Sequence, residues 1–331
     1  MRRMPRQISI EQALGVVRTR GDLAREGWRE RRIAQALEDG SLRRLQRNRY
    51  VLDAHWADLW PESRHRIEAV AAFSEMRDGG AVAAYDSAAV VWDLPLYRHV
   101  PAAVHVTIPG GTHLPSRRGL RRHTDALPPE DVTTREGIRC TTLERTVFDL
   151  ARTLPFEAAV AAADAGLRQT ACIGRHYDES LAAQWRERMG QRAARASGRR
   201  GVRQATEVIA VADGRAESPA ESVGRAQLHR LGFRTLRLQV PVAGPHGREY
   251  RVDIEIEELG AFVEIDGVGK YQDEALRSGR TIEQVHIAEK RREDWIRGVT
   301  QQRFVRIEER HVASADRLAQ RLTAFGIPLP R

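Results

Sequence analysis

Asp253 and Glu264 are the two acidic residues whose spacing points most directly to chemistry. They lie in two runs of alternating polarity, Tyr250-Arg251-Val252-Asp253-Ile254-Glu255-Ile256 and Ala261-Phe262-Val263-Glu264-Ile265-Asp266. The residues between, 257–260, end in Gly260, so an antiparallel hairpin pairing Ile256 with Ala261 is predicted. Counting back sets Asp253 opposite Glu264. Directly opposed side chains hold their Cβ atoms ~4.5–5.5 Å apart, and like charges there destabilise a sheet. Two carboxylates kept so close share a proton or hold a cation, and a hard divalent ion such as Mg2+ (or Mn2+) takes oxygen ligands of this kind. The alternative is a solvated polar face with both groups splayed into water. Strict alternation adds Asp266 to the acidic face, opposite Arg251, and sends Val252, Ile254 and Ile256 to the other with Ala261, Val263 and Ile265.

Three further residues could join that pair. Ser218-Pro219-Ala220-Glu221 opens a helix that ends near Leu231-Gly232. Glu221 is either an acid offered to the site or the closing residue of a capping box with Pro at the first helical position. Lys270 and Lys290 are the chain's two lysines, every other permanent cation being Arg. Both fall near the acidic pair in sequence, and lysine, unlike arginine, can serve as a movable point charge.

Stepping toward the N-terminus, the chemistry changes sign. Residues 1–50 carry thirteen arginines against six acids, and residues 186–203 carry seven arginines against Glu187 alone. Two such clusters read as footprints for a polyanion, most simply nucleic acid, or as solvated surface in an arginine-preferring chain. The first cluster has an architecture. Ser9-Ile10-Glu11-Gln12 is a capping box for a first helix, Thr19 or Asp22 caps a second that stops at Gly27, and a third spans 28–39 with Ile33, Ala34 and Leu37 inward. Residues 42–52 then form a basic hairpin. Arg29, Arg31 and Arg32 at the start of the third helix would enter the major groove, while Arg43, Arg44, Arg47 and Arg49 would grip phosphate or the minor groove. A basic face that binds an acidic protein is the competing reading.

The whole chain has 331 residues with a net charge of +9, 41% hydrophobic and 30% charged. That length exceeds one ordinary domain of ~100–150 residues, and the apolar content excludes full disorder. No run approaches the ~18 apolar residues of a membrane span, and no apolar segment follows the basic start Met1-Arg2-Arg3-Met4-Pro5-Arg6 as a secretory signal requires. Cys140 and Cys172 form no C-x-x-C pair, which argues against a cysteine zinc site or a disulfide scaffold. A cytoplasmic setting is expected. Four parts are predicted: a winged helix-turn-helix at 1–56, a mixed α/β domain at 64–185, an Arg-rich linker at 186–216, either a basic helix that breaks near Ser197-Gly198 or a solvated connecting helix, and a C-terminal domain at 217–331. Within the second part, helices are expected over 64–76, 82–91, 142–154 and 156–167, with a strand at 103–108 and short strands at 131–134 and 137–141. Its histidines 99, 105, 113 and 123 are scattered without ligand spacing.

Two resemblances emerge from these residues. The N-terminal pattern, with Ala83-Ala84-Tyr85-Asp86-Ser87-Ala88-Ala89 and Thr141-Thr142-Leu143-Glu144-Arg145-Thr146-Val147-Phe148-Asp149-Leu150-Ala151, resembles the AbiEi family of antitoxin-type proteins over about half the chain. That likeness implies a DNA-binding winged helix joined to a second domain, transcriptional self-repression, and DNA and a cognate toxin or other protein as partners. A homodimer is also expected. The second covers the last ~110 residues. Val252-Asp253, then Phe262-Val263-Glu264-Ile265-Asp266-Gly267, then Lys290-Arg291-Arg292-Glu293-Asp294 and the strand Arg303-Phe304-Val305-Arg306-Ile307 resemble a family allied to the very-short-patch-repair endonuclease, within the PD-(D/E)xK superfamily. This implies a restriction-endonuclease-like fold and Mg2+-dependent phosphodiester cleavage. Asp253 and Glu264 would be metal ligands, Glu221 the helix acid, and Asp266 would stand where the superfamily has its catalytic lysine. That departure leaves three outcomes: Lys270 or Lys290 supplies the cation, catalysis relies on metal alone, or the fold is inactive. The expected fold class is therefore α+β multidomain, with a winged helix-turn-helix, a central α/β domain and a restriction-endonuclease-like C-terminal domain. Its function is either nucleic-acid cleavage or non-catalytic autorepression.

Overall fold

The computed structural model describes residues 6–74, 76, 80–109, 115–174, 176–266 and 281–330. It divides into two units, Met1–Leu154 with Arg199–Gly201, and Pro155–Gly198 with Val202–Arg331. Both mix helices with sheet, as the patterning predicts.

In the first unit, side-chain caps start the helices. Helix α1 (Ile10–Val16) begins at the Ser9–Gln12 box, and α2 (Arg20–Arg25) begins at a second box in which Thr19 is the cap and Asp22 its reciprocal partner. Gly27 at φ 82° ends α2, since an L side chain is strained there. Helix α3 (Glu30–Glu38) buries Ile33 and Ala36. Ala34, expected inward, is exposed, and Leu37 is half-buried. The buried stripe thus runs through 33 and 36, and Leu23, Leu42 and Tyr50 complete this small core. Strands β1 (Leu42–Gln46) and β2 (Arg49–Leu52) pair antiparallel, with Asn48 at φ 55° in the turn. Two links tie the hairpin to what precedes it: Arg18 and Tyr50 exchange backbone hydrogen bonds, and Asn48 Oδ1 accepts the Arg20 N–H at 2.9 Å.

The unit continues through α4 (Pro61–Phe73), β3 (Val82–Ala83), α5 (Tyr85–Val91), β4 (Val104–Thr107), β5 (Leu120–His123), β6 (Val132–Arg135), β7 (Ile138–Thr141) and α6 (Leu143–Thr153). The five strands run in the order β5-β4-β3-β7-β6. The helix expected over 82–91 is therefore a strand followed by a helix, because Val82 and Ala83 complete the ladder between β4 and β7. Ile8, Ile10, Val16 and Val51 share one core with Ile67, Val70, Ala83, Ile138 and Cys140. The segments expected as separate domains at 1–56 and from 64 onward thus bury common apolar surface. The buried Arg66 joins them: its guanidinium donates to the carbonyls of Ile8 and of Val90, the latter at 2.9 Å, and to Asp93.

The second unit opens with α7 (Phe156–Ala171), the short pair β8 (Cys172–Ile173) and β9 (His176–Tyr177), α8 (Glu179–Arg195) and α9 (Val202–Val211). The segment expected to be a linker is thus largely helical, with Gly198 at φ 79° making the break. Ala182, Trp185, Met189 and Ala193, at spacings of three, four and four, bury one face of α8, so its arginines occupy only the remainder. Helix α10 (Pro219–Arg230) leads into β10 (Leu236–Ala243), β11 (Glu249–Ile256) and β12 (Ala261–Asp266). Helix α11 (Ile282–Thr300), β13 (Arg303–Glu308) and α12 (Ala315–Ala324) follow. The sheet order is β10-β11-β12-β13, antiparallel except for the parallel β12–β13 pair. Ile256 lies opposite Ala261 as counted from the turn, and Gly260 takes φ 53°.

One buried ion pair fastens α7 to α10. Arg225 places Nη2 2.8 and 2.7 Å from the two oxygens of Asp164, which also accepts the Asp213 N–H at 2.8 Å. Residues 155–171, expected to close the preceding domain, consequently belong to the C-terminal unit. Removing one partner of a buried pair strands the other, at about 3–5 kcal/mol. Arg225→Ala is expected to lower the urea stability of the second unit by that amount, while Arg225→Met with Asp164→Leu recovers most of the loss. Equal losses in the single and double variants would refute the role assigned to the pair.

Candidate functional site

Where β10 meets β11 the sheet departs from regular pairing. Leu238 faces Ile254 and Val240 faces Val252, but Gln239 takes φ 52° between them. Across from it, Asp253 turns its carboxylate into the neighbouring ladder, where Oδ2 accepts the Ile265 N–H at 2.8 Å. Strict alternation fails at this point. Val252, predicted to face away from Phe262, shares a cluster with Phe262, Phe304, Ile296, Val240 and Val242.

The irregularity opens one wall of a cavity of about 1080 Å3 within the second unit. Asp253 and Glu264 both line it, with Gln239, Tyr250, Arg251 and Arg292. Both carboxylates thus line one cavity, while the β11–β12 ladder runs from Ile256–Ala261 only as far as Ile254–Val263. Glu264 is only 1% exposed, and Arg292 grips it in a fork, Nη1 to Oε1 at 2.8 Å and Nη2 to Oε2 at 3.4 Å. Burial alone would lower the Arg292 pKa, but Glu264 and then Glu289 and Asp253 hold it above its ordinary value.

The remaining candidates are placed as follows. The β11–β12 ladder stops at Ile254–Val263 and assigns Asp266 no partner on that side; on the other side it pairs with Glu308 in the β12–β13 register and meets Arg306 Nε at 3.3 Å. Glu221 does not line the cavity. Its Oε2 accepts the Glu217 N–H at 2.8 Å and the Gln239 amide at 3.2 Å, while Ser218 caps its own N–H. Glu221 thus closes the start of α10 and steadies Gln239, which does reach the cavity. Lys290 is exposed on α11, and Lys270 lies outside the described residues. Arg292, Glu289 and Arg306, absent from the sequence-derived set, instead surround the acids. The available signal was the i, i+3 spacing of Glu289 and Arg292 on an amphipathic helix.

Does this donor set suit a divalent ion? Hard cations take several oxygens with free lone pairs. Here both oxygens of Glu264 face a guanidinium, and one oxygen of Asp253 is bound to a peptide N–H. Among the described residues no group of three or more His, Cys, Asp or Glu side chains gathers as a metal ion requires. The arrangement suits a guanidinium better than Mg2+.

The basic face of the first unit sorts into held and exposed arginines. Arg43 pairs with Asp53 at 2.6 Å, and Arg49 donates to Ser74 Oγ at 2.9 Å and to the Asn48 carbonyl. Arg32 lies over the Trp28 ring, 4.0 Å from its centroid. Arg29, Arg31, Arg44 and Arg47 are exposed. On α3, Gln35 is exposed one turn beyond Arg31.

Histidines expected to be scattered converge in that unit. His123 stacks on Tyr85 with centroids 4.1 Å apart, and His105 meets both rings. His99 pairs with Asp86 at 2.8 Å, and His65 with the buried Ser87 hydroxyl at 2.9 Å. His113 lies outside the described residues. Separate strands and α5 bring these groups together, so linear spacing carried no sign of them.

Comparison with known proteins adds an independent line. Residues 92–203 match the family of the AbiEi antitoxin C-terminal domain. Two curated relatives are the Uncharacterized protein MT2308 of Mycobacterium tuberculosis strain CDC 1551 and the Uncharacterized protein Rv2248 of strain H37Rv. Each is 30% identical over 199 residues, which is 60% of this chain and 67% of the relative. No helix among the described residues is long and apolar enough to cross a membrane.

His105 lies within the matched span. Burial, opposed by Asp86 and reinforced by His123, His65 and Arg121, pulls its pKa from 6.5 to about 4. The native state thus keeps it neutral while the unfolded chain takes up a proton first. Its contribution to stability is present above 6.5 and is lost as pH falls toward 4. The urea midpoint of His105→Gln is expected to fall less than that of the wild type across this window. Parallel pH profiles would show that other groups govern acid unfolding.

Proposed function

The chain belongs to one family with these two mycobacterial proteins, and from that premise we propose that it is a DNA-binding protein of antitoxin type that represses its own transcription. The observation that carries this reading is the pairing of α3 with a basic hairpin. Arg31, Arg44 and Arg47 are exposed there, and Asn48 anchors the hairpin turn to α2. Helices α1–α3 with β1 and β2 would act as a winged helix-turn-helix, α3 entering the major groove and the hairpin following the backbone. Arg31 and Gln35 are the residue types that read guanine and adenine edges, and their four-residue spacing puts them on one side of α3. The AbiEi match over residues 92–203 supports a toxin–antitoxin setting, with a cognate toxin as the protein partner and a homodimer on a two-fold operator. A cytoplasmic location follows from that role.

A second reading keeps one observation in its favour: Asp253 and Glu264 line the same cavity. On that reading the endonuclease-like second unit cleaves nucleic-acid phosphodiesters with Mg2+ or Mn2+. It requires Arg292 to release Glu264 first. Divalent-dependent nicking of plasmid by the wild type, lost in Asp253→Ala, would establish it.

For the binding function, Arg44→Ala and Arg47→Ala are each expected to weaken operator binding and to reduce the slope of log affinity against log salt by about 1, as one fewer phosphate is neutralised. Gln35→Ala is expected to relax discrimination at one base pair at about 1–3 kcal/mol, with little change in salt slope. Fluorescence anisotropy on a promoter fragment across a salt series separates the two effects. An unchanged slope in both arginine variants would reassign the hairpin to a protein contact.

A further inference from the structure

From the second unit's cavity, which Glu264, Glu289 and Arg292 line, a chain of charges runs on to Arg306 and Asp266. Glu264 and Asp266 come from β12, Glu289 and Arg292 from α11, and Arg306 from β13, where it is the register partner of Glu264. Arg292 meets Glu264 at 2.8 Å and Glu289 at 3.5 Å, and its second nitrogen donates to the Arg251 carbonyl. Arg306 meets Glu289 at 3.0 Å, Asp266 at 3.3 Å and Glu293 at 3.6 Å. Three elements thus hold one guanidinium over the least accessible carboxylate of the unit's acidic cluster. That carboxylate has a 2% exposed side chain, and Arg292 itself is 16% exposed.

We infer that Arg292 is the resident cation of the Asp253–Glu264 pair, occupying by covalent attachment the place that a divalent ion would take, so that the second unit is a binding module whose cation site is latent. This goes beyond the DNA-binding reading and does not depend on it. A planar guanidinium matches a carboxylate in a two-point fork and never deprotonates at physiological pH, so it cannot be displaced by titration. A metal competing for Glu264 must instead break that fork and leave a buried guanidinium with fewer acceptors, which is unfavourable.

The inference separates the wild type from a specific variant. In Arg292→Gln, the oxygens of Glu264 and Glu289 lose their shared cation, and Asp253 stays beside them. Thermal unfolding of the full chain, with and without millimolar MnCl2, is the readout. The wild-type Tm is expected not to respond. Arg292→Gln is expected to gain roughly 2–4 °C in Mn2+, and the gain disappears in Arg292→Gln with Glu264→Gln. A wild-type rise that Glu264→Gln abolishes overturns the inference. So does a folded Arg292→Gln protein that ignores Mn2+. Should Arg292→Gln fail to fold, manganese-soaked wild-type crystals decide. An anomalous peak between Asp253 and Glu264 refutes the proposal, and a guanidinium there without a peak supports it.

Discussion

A guanidinium keeps its charge wherever it is buried, so each one that enters a protein interior dictates what must surround it. This chain buries several, and its architecture is organised by their partners. Arg66 collects the carbonyls of Ile8 and Val90 with Asp93, which makes α1 and the central helices one body of structure. Arg145 spans Asp149 at 2.8 Å and Asp131 at 3.0 Å, fixing α6 against the segment before β6. There burial raises Asp149 to about 6, even with Arg145 opposing it. Arg225 does the same for α7 and α10, and Arg292 for α11 and β12. Apolar burial supplies most of the driving force, but these pairs select which packing satisfies every charge.

That constraint explains which parts of the structure were legible in the sequence. Short-range rules worked where their physics is local. The Ser9–Gln12 box, the Ser218 cap and the Ile256–Ala261 turn all lie where residue spacing puts them, because each needs only a few neighbouring residues. What failed was long-range. Asp164 and Arg225 stand 61 positions apart, and nothing in either segment marks them as partners. The helix through 195 and its break at Gly198 were legible locally, but its start at Glu179 and its buried stripe Ala182, Trp185, Met189 and Ala193, which pack it into the second unit, were not.

Alternation failed in an instructive way at a single register position. A strand's faces follow from period two only while every residue stays in the ladder. Gln239 in the left-handed region and Asp253 bonding sideways to the Ile265 N–H both leave it, and the faces exchange. The same departure opens the cavity wall. A carboxylate on a regular strand projects away from the ladder; that of Asp253 instead accepts the Ile265 N–H of the neighbouring strand, and the Gln239 amide, held by Glu221, lines the same cavity. Local irregularity, not the alternating pattern itself, shapes the site.

Net charge misleads about this chain because its arginines do two kinds of work. Arg66, Arg145, Arg225 and Arg292 are each paired with carboxylates inside their own unit and offer little field to a partner. Arg31, Arg44 and Arg47 are exposed on α3 and the hairpin. Screening limits what an exposed cation adds to folding, to about 0–1 kcal/mol for a surface pair, but not what it adds to binding a phosphate chain, where each contact releases counterions. A polyanion would therefore meet Arg31, Arg44 and Arg47 as a field, whereas Arg225 and Arg292 are closed off by their own carboxylates. Exposure, not count, decides which arginines are open to a partner.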